Sequence, residues 1–224
     1  MRFLAKTLFF LLMCATLLAV YNPIIVNATR ESIPNDVKYS IISEHKIPSI
    51  KRSLDVRLNK KVSRDVLEAI AYELKQLDKN TYKKTFILYY LLDMKIGAGA
   101  WASTHFNPDL KVEILGLTSE EEMNLTKSSA EPKGKIVGQW LCEQPFTESR
   151  TTLYTQDGRI YMKNLFKDGS SGTDEMVEKK SARGRRFQEK QGNASGEYYL
   201  INKDGLLEFW SDNGHICTCK KLNK

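Results

Sequence analysis

Hydrophobic and polar positions divide the chain into three kinds of segment. Residues 7–20 form a charge-free apolar run near the N-terminus. Residues 50–117 combine period-two alternation, typical of half-buried strands, with one stretch of helical period. Residues 135–222 consist of short apolar runs separated by recurrent Asp-Gly and Asn-Gly dipeptides, which favour tight hairpins. The pattern therefore predicts a leader segment followed by two β-rich regions of different construction.

The first 28 residues have the three parts of a signal peptide. Arg2 and Lys6 make a positive start, the apolar run follows, and Val26 and Ala28 precede a cleavage site. The run is shorter than the roughly 20 residues needed to span a bilayer. We expect residues 1–28 to be a signal peptide, with an uncleaved anchor as the alternative, and the mature protein to be periplasmic or secreted by a bacterium.

The N-terminal region begins irregularly and then becomes periodic. Residues 29–49 are polar and contain two prolines, which predicts a loosely ordered lead-in. Residues 50–58 alternate between apolar and polar and predict a strand with one buried face. Ser63 is the expected N-cap of a helix of about four turns. The apolar stripe of this helix consists of Val66, Leu67, Ile70, Ala71, Leu74 and Leu77.

Three further strands complete this region. The apolar run 86–92 predicts a central strand covered on both faces, and residues 101–106 and 110–115 predict two more strands. The result is an α+β domain over residues 50–117, with the order β-α-β-β-β and the helix lying on an antiparallel sheet. In element order it resembles the cystatin-like architecture. The stretch GAWASTHFNPDLKVEILG is also similar to part of an uncharacterised domain of exported bacterial proteins.

A second domain follows residues 118–134, which are polar, end in Pro-Lys-Gly and predict a linker. Over residues 135–222 the turn signals recur about every ten residues. They predict an up-and-down meander that closes into a small eight-stranded barrel, because closure removes the edge strands. The expected strands lie near 136–142, 150–155, 159–166, 173–179, 185–190, 196–201, 206–210 and 215–220.

Cysteines support both export and barrel closure. Cys142 lies in the first predicted barrel strand, and Cys217 and Cys219 share one face of the last. We expect a disulfide from Cys142 to one of the other two, which leaves the third free. Gly138 and Trp140 form a G-x-W motif at the first strand, where lipocalin-type barrels have one. This resemblance covers the barrel region and implies an interior able to hold a small apolar ligand, next to Trp140.

The charge pattern limits the partners. The formal net charge is +7, but Arg2 and Lys6 belong to the predicted signal peptide and the rest is spread over both halves. Nucleic-acid binding is therefore not expected. A basic cluster at one predicted hairpin tip is the candidate site for an anion or for peripheral contact with an anionic membrane surface. It comprises Lys179, Lys180, Arg183, Arg185 and Arg186.

Catalytic and cofactor motifs are not found in the sequence. The chain has no GxSxG, HExxH, P-loop or CxxC pattern, so neither a cofactor nor a metal is expected. Ser103, His105 and Asp109 supply the residue types of a hydrolase, but neighbours on one strand face do not form a nucleophile elbow. The run Gly97–Ala100 predicts a flexible hairpin loop, because a strand follows it rather than a helix.

The sequence therefore predicts an exported, non-enzymatic binding protein of the cell envelope, with a protein or an envelope component as its partner. A barrel carrier of a small apolar ligand is the first alternative, and a hydrolase at Ser103, His105 and Asp109 the second. The candidate ligand-binding residues are Trp101, His105, Trp140, Phe166 and Tyr198.

Overall fold

The computed structural model describes residues 32–129, 131–145 and 147–222. The predicted signal peptide and the first residues of the predicted lead-in lie outside them. Within the described residues, no helix has the length and apolar character to cross a membrane.

The N-terminal part is a five-stranded sheet with one helix. Its strands are ordered β1-β2-β3-β4-β5. The elements are β1 (Tyr39–Ile47), β2 (Lys51–Leu58), α1 (Arg64–Gln76), β3 (Lys84–Leu91), β4 (Ala102–Phe106) and β5 (Leu110–Ile114). The sheet is mixed rather than antiparallel as expected, since β2 and β3 are parallel. The segment from Asn59 to Lys83 contains α1 and is long enough to return the chain to the same end of the sheet, as a parallel pair requires.

The predicted lead-in contains a strand. From residue 39 onward it forms β1, which pairs antiparallel with β2, so the expectation of loose order is wrong there. Every β1 residue after Tyr39 is exposed. An edge strand of this kind is stabilised by backbone hydrogen bonds more than by buried side chains, and it leaves little hydrophobic periodicity in the sequence.

Helix α1 and the sheet enclose the first core. Ser63 caps the helix as predicted, and its hydroxyl accepts a hydrogen bond from the backbone N–H of Val66. Five of the six predicted stripe residues are buried, whereas Leu77 is 62% exposed because the helix ends before it. Strand β3 is central as predicted, but the face opposite the helix is only partly covered, since Leu88 is 37% exposed whereas Tyr90 is buried.

The predicted linker contains a helix. Residues Ser119–Lys127 form α2, which begins with a capping box. The Thr118 hydroxyl accepts a hydrogen bond from the backbone N–H of Glu121, and the Glu121 carboxylate accepts one from the backbone N–H of Thr118. Leu125 on this helix is buried with Leu117 and Leu141. The helix is thus packed onto the first barrel strand, which a solvated linker would not be.

The C-terminal part is a closed antiparallel barrel, as predicted. Its strands follow one another around the wall, and the last strand pairs with the first. They are β6 (Lys135–Cys142), β7 (Ser149–Gln156), β8 (Arg159–Phe166), β9 (Ser171–Lys179), β10 (Arg185–Glu189), β11 (Tyr198–Ile201), β12 (Leu207–Ser211) and β13 (Gly214–Lys221). A disulfide joins Cys142 to Cys219 across the β6–β13 seam, which confirms the predicted bridge.

The Gly138-x-Trp140 motif has a packing explanation. Trp140 is 2% exposed and its indole N–H donates to the Gly205 carbonyl oxygen at 2.8 Å. A Cβ atom on Gly138 would lie 2.3 Å from the ring of Trp140. Glycine is therefore required at 138 because the indole lies against the backbone there.

Candidate functional site

A cleft of about 630 Å³ lies between the N-terminal sheet and the barrel, and we call it the junction cleft. The sheet side contributes Lys61, Leu91, Asp93, Met94, Lys95, Ala98, Gly99 and Trp101. The barrel side contributes Leu141, Glu143, Gln144, His215, Ile216, Thr218 and Lys220. Its volume falls within the range of small-molecule sites, which often occur where two parts of a fold meet.

The β3–β4 loop forms one wall of the junction cleft. Gly97 and Gly99 have φ angles of 82° and 108°, a region that favours glycine. The turn lets the carbonyl oxygen of Ala98 accept a hydrogen bond from the side-chain amide of Gln144 at 2.6 Å, across the cleft. Below the loop, Trp101 is 1% exposed and its indole N–H donates to the Leu117 carbonyl oxygen at 2.9 Å. This wall therefore belongs to the N-terminal half and is hydrogen-bonded to the barrel side of the cleft through Gln144.

Ion pairs cross the junction cleft between the two halves. Lys220 Nζ lies 2.7 Å from Asp93 Oδ2 and 2.8 Å from Glu143 Oε2, and Lys61 Nζ lies 2.7 Å from Glu143 Oε1. Burial alone would raise the pKa of Glu143, but hydrogen bonds from Lys220 and Lys61 outweigh it and lower that pKa. The hydrogen bond from Lys220 likewise lowers the pKa of Asp93. The network therefore stabilises the junction while both carboxylates are ionised.

This network predicts acid sensitivity. A carboxyl group whose pKa is lowered by folding stabilises the folded state when the pH is above the group's ordinary pKa. This stabilisation is lost as the pH falls through the lowered pKa. We expect the free energy of unfolding to fall more steeply in the wild type than in Lys220→Met between about pH 5 and pH 2. Chemical denaturation across this range measures it. Lys221→Met, at the neighbouring exposed lysine, is the control, and equal pH dependence of the wild type and Lys220→Met would contradict the prediction.

A second cavity, of about 210 Å³, opens at one mouth of the barrel. Its lining combines aromatic rings, small hydroxyl side chains and two of the cysteines. The lining residues are Cys142, Thr147, Ser149, Thr151, Asn164, Phe166, Tyr199, Phe209 and Cys217. The cavity is a third of the volume of the junction cleft and is set partly inside the barrel wall.

The five predicted ligand-binding residues lie in different places. Trp101 lines the junction cleft, and Phe166 lines the barrel-mouth cavity. Trp140 is packed into the barrel core, and Tyr198 stacks on Trp210 with its ring centroid 6.3 Å away. His105 stacks on Phe86 on the open face of the sheet, with 5.6 Å between ring centroids. The structure therefore does not bring these five side chains together.

The predicted basic cluster is partly engaged within the barrel. Arg185 donates to both carboxylate oxygens of Glu178 at 2.8 Å, and Arg183 lies 2.9 Å from Glu208. The guanidinium of Arg186 lies 3.8 Å from the ring centroid of Tyr198. Lys179 and Lys180 are exposed near the hairpin tip. Lys179, Lys180 and Arg185 line an open surface concavity at the hairpin tip, and the anion-binding role of all five residues stays a prediction.

Ser103, His105 and Asp109 lie on and just after β4. In the strand register Ser103 is opposite Leu88 and Glu113, and His105 is opposite Phe86 and Lys111. Neither side chain lines the junction cleft or the barrel-mouth cavity. The strand is regular at both positions, so it lacks the sharp turn that presents a catalytic serine.

Most residues of the junction cleft carried no local signal in the sequence. Lys61, Glu143 and Lys220 come from three separate segments and are brought together by the fold. Gly97 and Gly99 were visible as a glycine-rich run, but that run alone predicted a loop. Searches against protein-family models, curated proteins and solved structures found no match for the chain.

Proposed function

We propose that the protein is an exported, non-enzymatic binding protein of the cell envelope and that its ligand occupies the junction cleft. The observation that carries the proposal is the 630 Å³ volume of this cleft between the sheet and the barrel. Export is supported by the predicted signal peptide and by the Cys142–Cys219 bridge, because such bridges persist mainly in oxidising compartments.

The lining suggests the chemistry of the ligand. Leu91, Met94 and Ile216 offer apolar surface, whereas the rim carries charged groups of both signs. Because Lys61, Asp93, Glu143 and Lys220 already pair with one another, a strongly charged ligand group at these four residues would have to break an ion pair. We therefore propose a small amphiphilic molecule with a neutral or zwitterionic polar end, as an envelope component would supply.

A blocked cleft tests this proposal. The mature chain from residue 29, purified natively, is expected to carry a small molecule detectable by native mass spectrometry. Thr218→Trp places an indole in the cleft at an exposed strand position and is expected to abolish that molecule. Ser171→Trp makes the same change at an exposed strand position outside the cleft and is expected to retain it.

The outcomes separate the alternatives. Equal occupancy of wild type, Thr218→Trp and Ser171→Trp would contradict a ligand in the junction cleft. A wild-type chain with no small molecule, which also gains no thermal stability from an extract of envelope lipids and metabolites, would contradict small-molecule binding altogether. The proposed binding protein would then have another protein, rather than a small molecule, as its partner.

A small apolar ligand in the barrel is a second candidate. The barrel-mouth cavity of about 210 Å³ favours it, with Phe166, Tyr199 and Phe209 as apolar walls. This volume is larger than the roughly 150 Å³ cavity that holds benzene in an engineered core. It is small for a lipid chain, so the carrier would take a compact apolar molecule.

A further inference from the structure

Three cysteine sulfurs converge at the barrel mouth. Cys219 is bonded to Cys142, and Cys217 lies two residues earlier on the same face of β13. The Sγ atoms of Cys217 and Cys219 are 3.9 Å apart, and all three sulfurs lie within 4.8 Å of one another. All three residues are buried, with exposures of 4% or less.

Two hydroxyl groups and an open cavity adjoin these sulfurs. The Thr147 hydroxyl donates to Cys217 Sγ at 3.6 Å, and the Thr151 hydroxyl lies 3.7 Å from Cys142 Sγ. Cys142 and Cys217 also line the barrel-mouth cavity, which gives a small ion or molecule a way in. Within the described ranges, this is the one convergence of three or more cysteine, histidine or acidic side chains close enough for a shared metal ion.

The spacing matches a three-coordinate site. A metal–thiolate bond of about 2.3 Å puts three sulfurs about 4 Å apart in a trigonal plane. The pair Cys217 and Cys219 already has this separation, and the pair Cys142 and Cys219 would reach it once its covalent bond is opened. We propose that reduction of the Cys142–Cys219 bridge converts the barrel mouth into a three-sulfur site for Cu(I).

The chemistry has two steps. A dithiol reductant gives two electrons and two protons to the bridge, breaks the Cys142–Cys219 bond and is itself oxidised to a disulfide. Cu(I) then replaces the thiol protons, which pass to solvent. Thiolates select Cu(I), and the all-sulfur set suits it better than Zn²⁺, which takes four ligands in structural sites. Reoxidation of the bridge would remove two of the three donors and release the ion.

Titration of the mature chain with Cu(I) tests the proposal independently of the junction cleft. Under anaerobic conditions, with bicinchoninate as the competing chelator, the reduced wild type is expected to bind one Cu(I), with three sulfur neighbours by X-ray absorption. The oxidised wild type should not compete. Reduced Cys217→Ser should bind at least about tenfold more weakly, a loss found even for groups that only support metal ligands.

Cys217→Ser is a suitable comparison because it leaves both partners of the bridge in place, so its oxidised form retains the covalent closure of the barrel. Near-ultraviolet circular dichroism reports whether the reduced chains keep their packed core. Equal affinities of the reduced wild type and Cys217→Ser would overturn the proposal. So would a reduced wild type that has lost its near-ultraviolet signal, because the three sulfurs then have no common site.

Discussion

Removing the Cys142–Cys219 bridge is expected to lower the free energy of unfolding by about 2–5 kcal/mol. The bridge joins the first and last barrel strands across 77 residues of sequence. Its loss frees a long loop in the unfolded chain, and a loop of this size corresponds to about 4.5 kcal/mol in the chain-entropy treatment. Urea unfolding of the double variant Cys142→Ala/Cys219→Ala, compared with the wild type, measures the effect.

The third cysteine supplies the matched control for this prediction. Cys217 is as buried as its neighbours but is not part of the bridge, so Cys217→Ser keeps the covalent closure. We expect it to cost less than the double variant. If the double variant lost less than about 1 kcal/mol, the seam between β6 and β13 would be held by backbone pairing and packing alone.

Replacing Trp140 by alanine is expected to lower the free energy of unfolding by about 3–5 kcal/mol, the range for large aromatic residues removed from a core. The indole fills the space above Gly138, and its N–H donates a hydrogen bond to the Gly205 carbonyl oxygen. The substitution removes both the packing and this hydrogen bond. Chemical denaturation again measures the change. Trp210→Ala is the control, since Trp210 is only half-buried and stacks against Arg183 and Tyr198 on the barrel surface.

The two tryptophans are expected to differ clearly. Trp210→Ala removes ring contacts that remain partly solvated, so its cost should be well below that of Trp140→Ala. A cost for Trp140→Ala below about 1 kcal/mol, or equal costs for the two variants, would contradict the placement of Trp140 in the barrel core.

The barrel was predictable because the sequence signals that specify it lie within short segments of the chain. Each Asp-Gly or Asn-Gly turn specifies a hairpin, and successive hairpins can only form a meander whose ends must meet or be covered. The predicted bridge from Cys142 to Cys217 or Cys219 then indicates where the first and last strands meet, and in the structure the partner is Cys219. The resemblance to lipocalins concerned the interior of the barrel, and the resemblance to the cystatin-like architecture concerned the order of elements in the N-terminal half. No comparison with known proteins supports either family.

The N-terminal half was less predictable, for two physical reasons. Strand β1 buries almost nothing, so hydrophobic periodicity could not reveal it. The parallel pairing of β2 with β3 depends on the end of the sheet to which the chain returns after α1, and alternation within each strand does not determine that. Helix α2, by contrast, did carry a signal, since Thr118 and Glu121 have capping-box spacing.

The junction cleft was not predictable from local patterns. Its lining comes from several strands and loops distant in sequence, and its ion pairs join residues as far apart as Asp93 and Lys220. Sequence patterns identified the aromatic residues of the barrel instead, because buried aromatics stand out in short strands. Trp140 then proved to be core, and of the predicted ligand-binding residues only Trp101 lines the cleft.

The most direct measurement of where a ligand binds is a crystal structure of the natively purified mature chain with its co-purifying molecule. The expected result is density in the junction cleft, between the β3–β4 loop beside Trp101 and the β13 residues Ile216 and Thr218. Density confined to the barrel mouth, against Phe166 and Tyr199, would contradict binding in the cleft and favour the apolar carrier instead.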